Sequence, residues 1–209
     1  MKPLILFDFD GTLVDSTQEV LFVVNTLLKK RGLSEVTAQE VATTPLEALA
    51  RSRGVGRFRV LLFLREVQQL LIKRSTPVPV HEHIKQLLNS VSAYVDVGIV
   101  TSNSLEYVHA VVSEEFLSRF VCVLHAGLFT KNKVISRVRK QRGLSKKYVL
   151  YVGDESRDVH AARRAGVDCL AVSWGLQGVD SLLASRPAML AQSTEEAIHL
   201  LKAWIASRG

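Results

Sequence analysis

Leu4-Ile5-Leu6-Phe7-Asp8-Phe9-Asp10-Gly11-Thr12-Leu13-Val14-Asp15-Ser16 joins four consecutive apolar residues to two carboxylates two positions apart, with a glycine directly after the second. A short apolar run without alternation reads as a strand buried on both faces, as in a parallel sheet covered by helices. Similar runs recur at 95–100, 121–124, 148–152 and 169–172. Between them the apolar residues take helical spacing: Ile84, Leu87, Leu88 and Val91; Leu105, Val108, Val111 and Val112; Val134, Ile135 and Val138; Ala197, Ile198, Leu201 and Ile205. The alternation predicts an α/β fold, a Rossmann-like parallel sheet with helices on both faces. Ligands of such sheets bind beyond the carboxyl ends of the strands. Asp8 and Asp10, Thr101 to Asn103, and Gly153 with Asp154 all fall at those ends.

The alternation breaks between Ser16 and about Arg74, where no strand is evident and helix starts repeat. Ser16 with Glu19, Thr37 with Glu40, and Thr44-Pro45 with Glu47 each have the spacing of a capping box, the last with proline in the first turn. The first helix places Val20, Val23, Val24, Leu27 and Leu28 on one stripe and stops at Gly32. A later helix from about Phe58 is apolar on nearly every side through Leu71, a surface that should pack inside the insertion and against its floor. The expected organisation is a core of residues 1–15 and 76–209 with an all-helical insertion at 16–75.

With 209 residues, 47% of them hydrophobic, the chain can bury one good core. No apolar run reaches the ~20 residues of a membrane span, and the first residues run straight into acidic chemistry rather than a cleavage site, so a cytoplasmic protein without a membrane partner is expected. Cys122 and Cys169 both sit in apolar stretches and are expected in the core, unpaired. The net charge of +7 favours anionic partners without choosing among them. Arg51, Arg53, Arg57 and Arg59 form the densest basic stretch, but Phe58 is its one aromatic, so it lacks the stacking platforms of a single-strand binder and nucleic acid is disfavoured. A solvated face is the first reading of that cluster and recognition of substrate phosphate the second.

Two carboxylates at a buried strand end suit phosphoryl transfer. An anionic Asp8 oxygen about 4 Å from an anionic phosphate is repelled by several kcal/mol at an effective dielectric near 20. A divalent cation removes most of that repulsion. Magnesium takes oxygen ligands, for which Asp8, Asp10 through its backbone carbonyl, and Asp154 are the candidates. The Asp10 side chain is then left to protonate the leaving oxygen and later to take a proton from water. Asp158, one helical turn past Asp154, is placed to orient that carboxylate or a lysine. Thr101 offers a hydroxyl to the phosphate, and the amides of Ser102 and Asn103, at an expected helix start, offer donors. Lys131 or Lys133 supplies the cation that stabilises spreading charge.

Asp8-x-Asp10-Gly11-Thr12, Thr101 after an apolar strand, the lysine of Lys131-Asn132-Lys133, and Gly153-Asp154-x-x-x-Asp158 resemble the four ordered motifs of the haloacid dehalogenase superfamily, most closely its phosphoglycolate phosphatase-like branch. The resemblance implies a magnesium-dependent phosphatase acting on a small phosphate monoester (phosphoglycolate-like, sugar phosphate or nucleotide) through an aspartyl phosphate. It implies a helical cap over a Rossmann-like core with the Asp8 strand central, Lys131 rather than Lys133 as the phosphate-binding lysine, and Gly11, Thr12, Ser102, Asn103 and Lys131 as substrate contacts. Dehalogenases of the superfamily lack the second aspartate, so Asp10 points to phosphoryl chemistry. A phosphomutase using the same aspartate, and a non-catalytic or nucleic-acid-directed protein of this fold, are the alternatives.

Overall fold

The run after Pro3 forms β1 (Leu4–Phe7), the first element of a computed structural model that describes residues 2–74, 77–127 and 129–208. Four helices follow without a strand: α1 (Thr17–Lys30), α2 (Ala38–Thr43), α3 (Leu46–Ser52) and α4 (Val60–Arg74). The alternation then begins with α5 (Ile84–Val91), β2 (Asp96–Thr101), α6 (Leu105–Val111), α7 (Glu114–Leu117) and β3 (Val123–His125). It continues through α8 (Lys131–Gln141), β4 (Val149–Gly153), α9 (Ser156–Ala165), β5 (Asp168–Val172), α10 (Val179–Ala184), β6 (Met189–Ala191) and α11 (Thr194–Ala206).

The six strands are all parallel in the order β3-β2-β1-β4-β5-β6, so β1 is central, as expected. Its register sets Phe7 beside Ile99 on one side and Val152 on the other, which brings the ends of three strands level. Ile5 and Phe7 face a layer containing α5, α6 and α11, while Leu4 and Leu6 face α8 and α9. The apolar cluster on the first face runs without interruption into the insertion, through Val23, Phe63, Leu64 and Val67.

The insertion leaves and returns side by side. Asp15 N–H donates to the Pro79 carbonyl at 2.9 Å, and Val14 bridges to Val80. The expected boundary between 75 and 76 lies outside the described residues. Away from these ends, Gln68 of α4 donates to the Ser102 carbonyl at 2.7 Å, and Gly178 N–H donates to the Ala42 carbonyl at 2.8 Å.

Several local expectations are corrected. Thr37 and Glu40 form the reciprocal capping box, but Ser16, whose φ −95 and ψ 4 depart from the extended backbone of a cap residue, makes no cap bond, and Glu19 pairs with Arg74. Pro45 is itself the residue before the first turn of α3, so Thr44 does not cap it. The apolar surface of α4 is only partly covered: Val60, Phe63, Leu64, Val67 and Leu71 are buried, whereas Leu61 and Leu62 near its start, and Phe58 before it, are exposed. Cys122 is only half-buried because it precedes β3, an edge strand; Cys169 is buried, and both are free thiols. The strand β6 was not anticipated. No described helix is long and apolar enough to cross a membrane.

Candidate active site

The sharp turn after β1 carries the site. Gly11 adopts φ +69, and a β-carbon there would lie 2.2 Å from an Asp154 carboxylate oxygen, so both conformation and space demand glycine. The turn closes through Leu13 N–H to the Phe9 carbonyl at 2.9 Å and Gly11 N–H to the Val14 carbonyl at 2.9 Å. It leaves Asp8 and Asp10 at the head of the central strand.

Asp8, Asp154 and Asp158 are all buried and present carboxylate oxygens within 4.8 Å of one another. Lys131, at the start of α8, is 3% exposed and places its ammonium 2.6 Å from Asp8 Oδ2 and 2.6 Å from Asp158 Oδ1. Lys133, two residues on, is exposed on another face of the helix. Asp158 also accepts from Glu155 N–H at 3.2 Å, so it caps α9 and grips Lys131 at once. The helix start after Asp154 is capped by Glu155, not by Asp154.

Asp154 is held rigidly. The Thr12 hydroxyl donates to its Oδ1 at 2.7 Å and Leu176 N–H to its Oδ2 at 2.8 Å. Thr12, expected to contact substrate, is fully buried and spends its hydroxyl on this carboxylate. Trp174 donates its indole N–H to the Thr12 carbonyl at 3.1 Å, and a β-carbon on Gly175 would lie 2.3 Å from Asp154. The loop after β5 thus clamps Asp154 from behind. Its signal in the sequence was Trp174-Gly175-Leu176 following a buried strand.

Asp10 Oδ2 accepts from the Asn103 side chain, while its Oδ1 is buried without a protein partner. The Thr101 hydroxyl accepts from Asn103 N–H at 3.0 Å. The Asn103 amide is therefore used internally rather than free to hold phosphate, because α6 starts two residues later with Ser104 as its cap. The Ser102 hydroxyl is buried with no protein partner. Asp8, Asp10, Ser102, Asn103 and Arg157 line a chamber of about 50 Å³ roofed by Leu46, Leu64, Val67, Gln68 and Leu71. Gln68 and Arg157 were not among the expected site residues; nothing in their spacing distinguished them from surface polar residues of amphipathic helices.

The electrostatics of this pocket are strained. At an effective dielectric near 20, two carboxylates 4.8 Å apart repel by roughly 3.5 kcal/mol. Burial pushes the Asp8 carboxyl up to about 7, opposed by Lys131 and reinforced by Asp158. Burial likewise drives Asp154 well above the ordinary carboxylate range, with Glu155, Asp8 and Asp158 adding to the rise. Asp10 is raised by burial against the Ser16 hydroxyl and Lys131. Burial works against the charge of Lys131, but Asp158 and Asp8 outweigh it and hold the ammonium above the ordinary lysine value.

Buried oxygen donors with raised proton affinity fit a hard divalent cation. An ionised carboxylate has about four lone-pair sites, so Asp8 and Asp154 retain capacity beyond their present partners, and the unpartnered Asp10 Oδ1 and Ser102 hydroxyl mark polar space beside them. The carboxylate cluster contains Asp158 and not the Asp10 side chain, which leaves the backbone carbonyl as the expected contribution of Asp10.

This combination of a parallel sheet, an aspartate pair at the central strand and a lysine held by a third aspartate defines a class of hydrolase. The sequence pattern of the haloacid dehalogenase-like hydrolases matches residues 5–172, and the chain belongs to that family. Among its curated relatives, a phosphoglycolate phosphatase of Synechococcus elongatus is 30% identical over 198 residues, covering 92% of this chain and 93% of the relative. A phosphoglycolate phosphatase of Xanthomonas campestris is 28% identical over 82% of this chain and 83% of its own length. The fold is also that of a predicted phosphatase from Clostridium acetobutylicum, with a TM-score of 0.79 at 16% identity over 97% of this chain and 99% of the other. A haloacid dehalogenase-like protein from Streptococcus pneumoniae superimposes with a TM-score of 0.76 at 20% identity, over 96% and 98% of the two chains.

Proposed function

We propose that the protein is a magnesium-dependent phosphatase that hydrolyses a small phosphate monoester of the phosphoglycolate kind through an aspartyl phosphate on Asp8. The observation that carries this reading is the position of Asp8: at the end of the central strand, within 4.8 Å of Asp154, and 2.6 Å from the Lys131 ammonium. Asp8, Asp154 and the Asp10 carbonyl would hold the ion. When bound, magnesium offsets the repulsion between Asp8 and the incoming phosphate.

Asp8 attacks phosphorus in line with the leaving oxygen. Asp10, kept protonated longer than an ordinary aspartic acid by its burial, gives its proton to that oxygen while Asn103 fixes its orientation. Lys131 faces the charge that spreads over the phosphoryl oxygens, and Asp158 holds it in place. The Thr101 hydroxyl, whose oxygen already accepts from Asn103, has its proton to offer a phosphate oxygen. Asp10 then takes a proton from the water that attacks phosphorus and releases phosphate. Residues 16–75 act as the cap that excludes bulk water from these steps. Two free thiols accord with work in a reducing cytoplasm.

The test is phosphate release from p-nitrophenyl phosphate and a panel of metabolite esters, with magnesium or with chelator. Turnover should require magnesium and fall by about a thousandfold or more in Asp8→Asn. Chelator-resistant turnover, or turnover that survives the substitution, would defeat the proposal.

A further inference from the structure

Beside the small chamber lies a second cavity of about 540 Å³, bounded by the insertion on one side and by α8 and α9 on the other. Its size is that of a small-molecule site, whereas the chamber holding Asp8 has room for little more than the phosphoryl group itself. Arg157 lines both spaces, and Lys131, whose ammonium touches Asp8, is also among the residues lining the larger one. The shared Arg157 sets the larger cavity next to the chamber, on the side where the part of a substrate that does not fit over Asp8 would lie.

The cavity is basic. Arg51 and Arg57 enter from the insertion, and Lys131, Arg157 and Arg164 from the core, against a single carboxylate, Glu47. Lys131 and Arg157 are committed to Asp8, Asp158 and Glu155. Among the described residues, Arg51, Arg57 and Arg164 make no ion pair, although Arg53 of the same basic stretch pairs with Glu40. Arg59 lies in a different hollow with Arg31 and Glu66. The basic stretch thus divides: Arg51 and Arg57 line the cavity without a carboxylate partner, Arg53 is taken by Glu40, and Arg59 lies elsewhere. Arg51, Arg57 and Arg164 are all exposed at the cavity wall, so an anion in the cavity gains charge-assisted hydrogen bonds from them without displacing an existing carboxylate partner.

We infer that the substrate carries a second anionic group, carboxylate or phosphate, and that Arg51, Arg57 and Arg164 bind it while the first phosphate sits at Asp8. Phosphoglycolate meets this description at its shortest; the cavity admits longer members of the same class. The inference rests on the phosphatase reading for the first phosphate and adds the class of the remainder.

Two matched pairs of esters isolate the second anion: 3-phosphoglycerate against glycerol 3-phosphate for a carboxylate, and fructose 1,6-bisphosphate against fructose 6-phosphate for a phosphate. The native protein should favour the more anionic member of at least one pair by roughly ten- to a hundredfold in kcat/KM. In the double variant Arg51→Gln, Arg57→Gln that preference should collapse, with p-nitrophenyl phosphate turnover unchanged. The pair that responds identifies the group. No preference in the native protein, a preference that survives the double variant, or a loss spread equally over all esters would overturn the inference. If the native protein turns over neither these esters nor p-nitrophenyl phosphate and phosphoglycolate, the phosphatase reading fails separately, and calorimetric titration with 3-phosphoglycerate and with fructose 1,6-bisphosphate decides. Binding of either that the double variant loses upholds the arginine site, and no binding of either to the native protein ends it.

Discussion

The floor of the chamber and its roof are built on opposite terms. The floor is polar and buried, and Asp8, Asp154, Asp158 and Lys131 each have short, specific partners from different strand ends. The roof is mainly apolar, Leu46, Leu64, Val67 and Leu71, and reaches the floor through one polar side chain, Gln68. Three charged residues of the insertion, Glu47, Arg51 and Arg57, lie outside the chamber, along the larger cavity. On the proposed mechanism, this contrast corresponds to bond making and breaking at the floor, and to water exclusion and selection by the insertion.

The assignment is most exposed to test at Asp10. Replacing it with asparagine should lower kcat by about 10² to 10⁴ for alkyl phosphates, the range for general acid-base catalysis. The loss should be smaller for p-nitrophenyl phosphate, whose leaving group needs little protonation. Equal losses on both, seen in steady-state kinetics, would mean that Asp10 matters for structure rather than proton transfer.

A second effect belongs to the floor alone. Asp8 keeps its proton up to about 7, against an ordinary value of 3.8, so the metal-free folded state holds a proton that the unfolded chain releases between those values. Stability should therefore be greatest at the acid end of this window and fall as pH rises through it. Glu155, likewise pushed up to about 7 by burial, contributes with the same sign. Magnesium should restore the lost stability at the alkaline end, since it binds the ionised folded site and not the unfolded chain. Urea midpoints between pH 5 and 8, with chelator and with magnesium, check this; a chelator profile that is flat or rises would contradict it.

The smallest effect is expected at the roof. Gln68→Ala removes one hydrogen bond to the Ser102 carbonyl and should raise KM by about three- to tenfold with little change in kcat. A kcat loss as large as that of Asp10→Asn would erase the division of labour between floor and roof.

Legibility in the sequence followed the same division. The strands at the floor were readable because β1, β4 and β5 are buried on both faces and therefore continuously apolar. The short edge strand β6 is mostly half-buried, and its run Ala188-Met189-Leu190-Ala191 holds no β-branched or aromatic residue to mark it as a strand. Asp8, Asp10, Asp154 and Asp158 were visible because each follows a strand or a helical turn at a fixed step. The partners of those residues were not, since Leu176 N–H, the Gln68 amide and the use of the Thr12 hydroxyl depend on how distant segments meet. Capping at Ser16 failed as an expectation because its backbone, φ −95 and ψ 4, is not the extended one a cap residue takes, and Glu19 pairs with Arg74, 55 residues away. The basic stretch looked uniform as sequence, yet the turn between α3 and α4 sends Arg51 and Arg57 toward one cavity, Arg59 to another and Arg53 to Glu40.

The most direct measurement is mass spectrometry of the protein quenched in acid during turnover of a phosphate ester with magnesium. The account predicts one added phosphoryl group on the peptide containing Asp8, labile to hydroxylamine and missing from Asp8→Asn. Rapid turnover with no phosphoryl group on that peptide at any quench time, or the label on another residue, would contradict it.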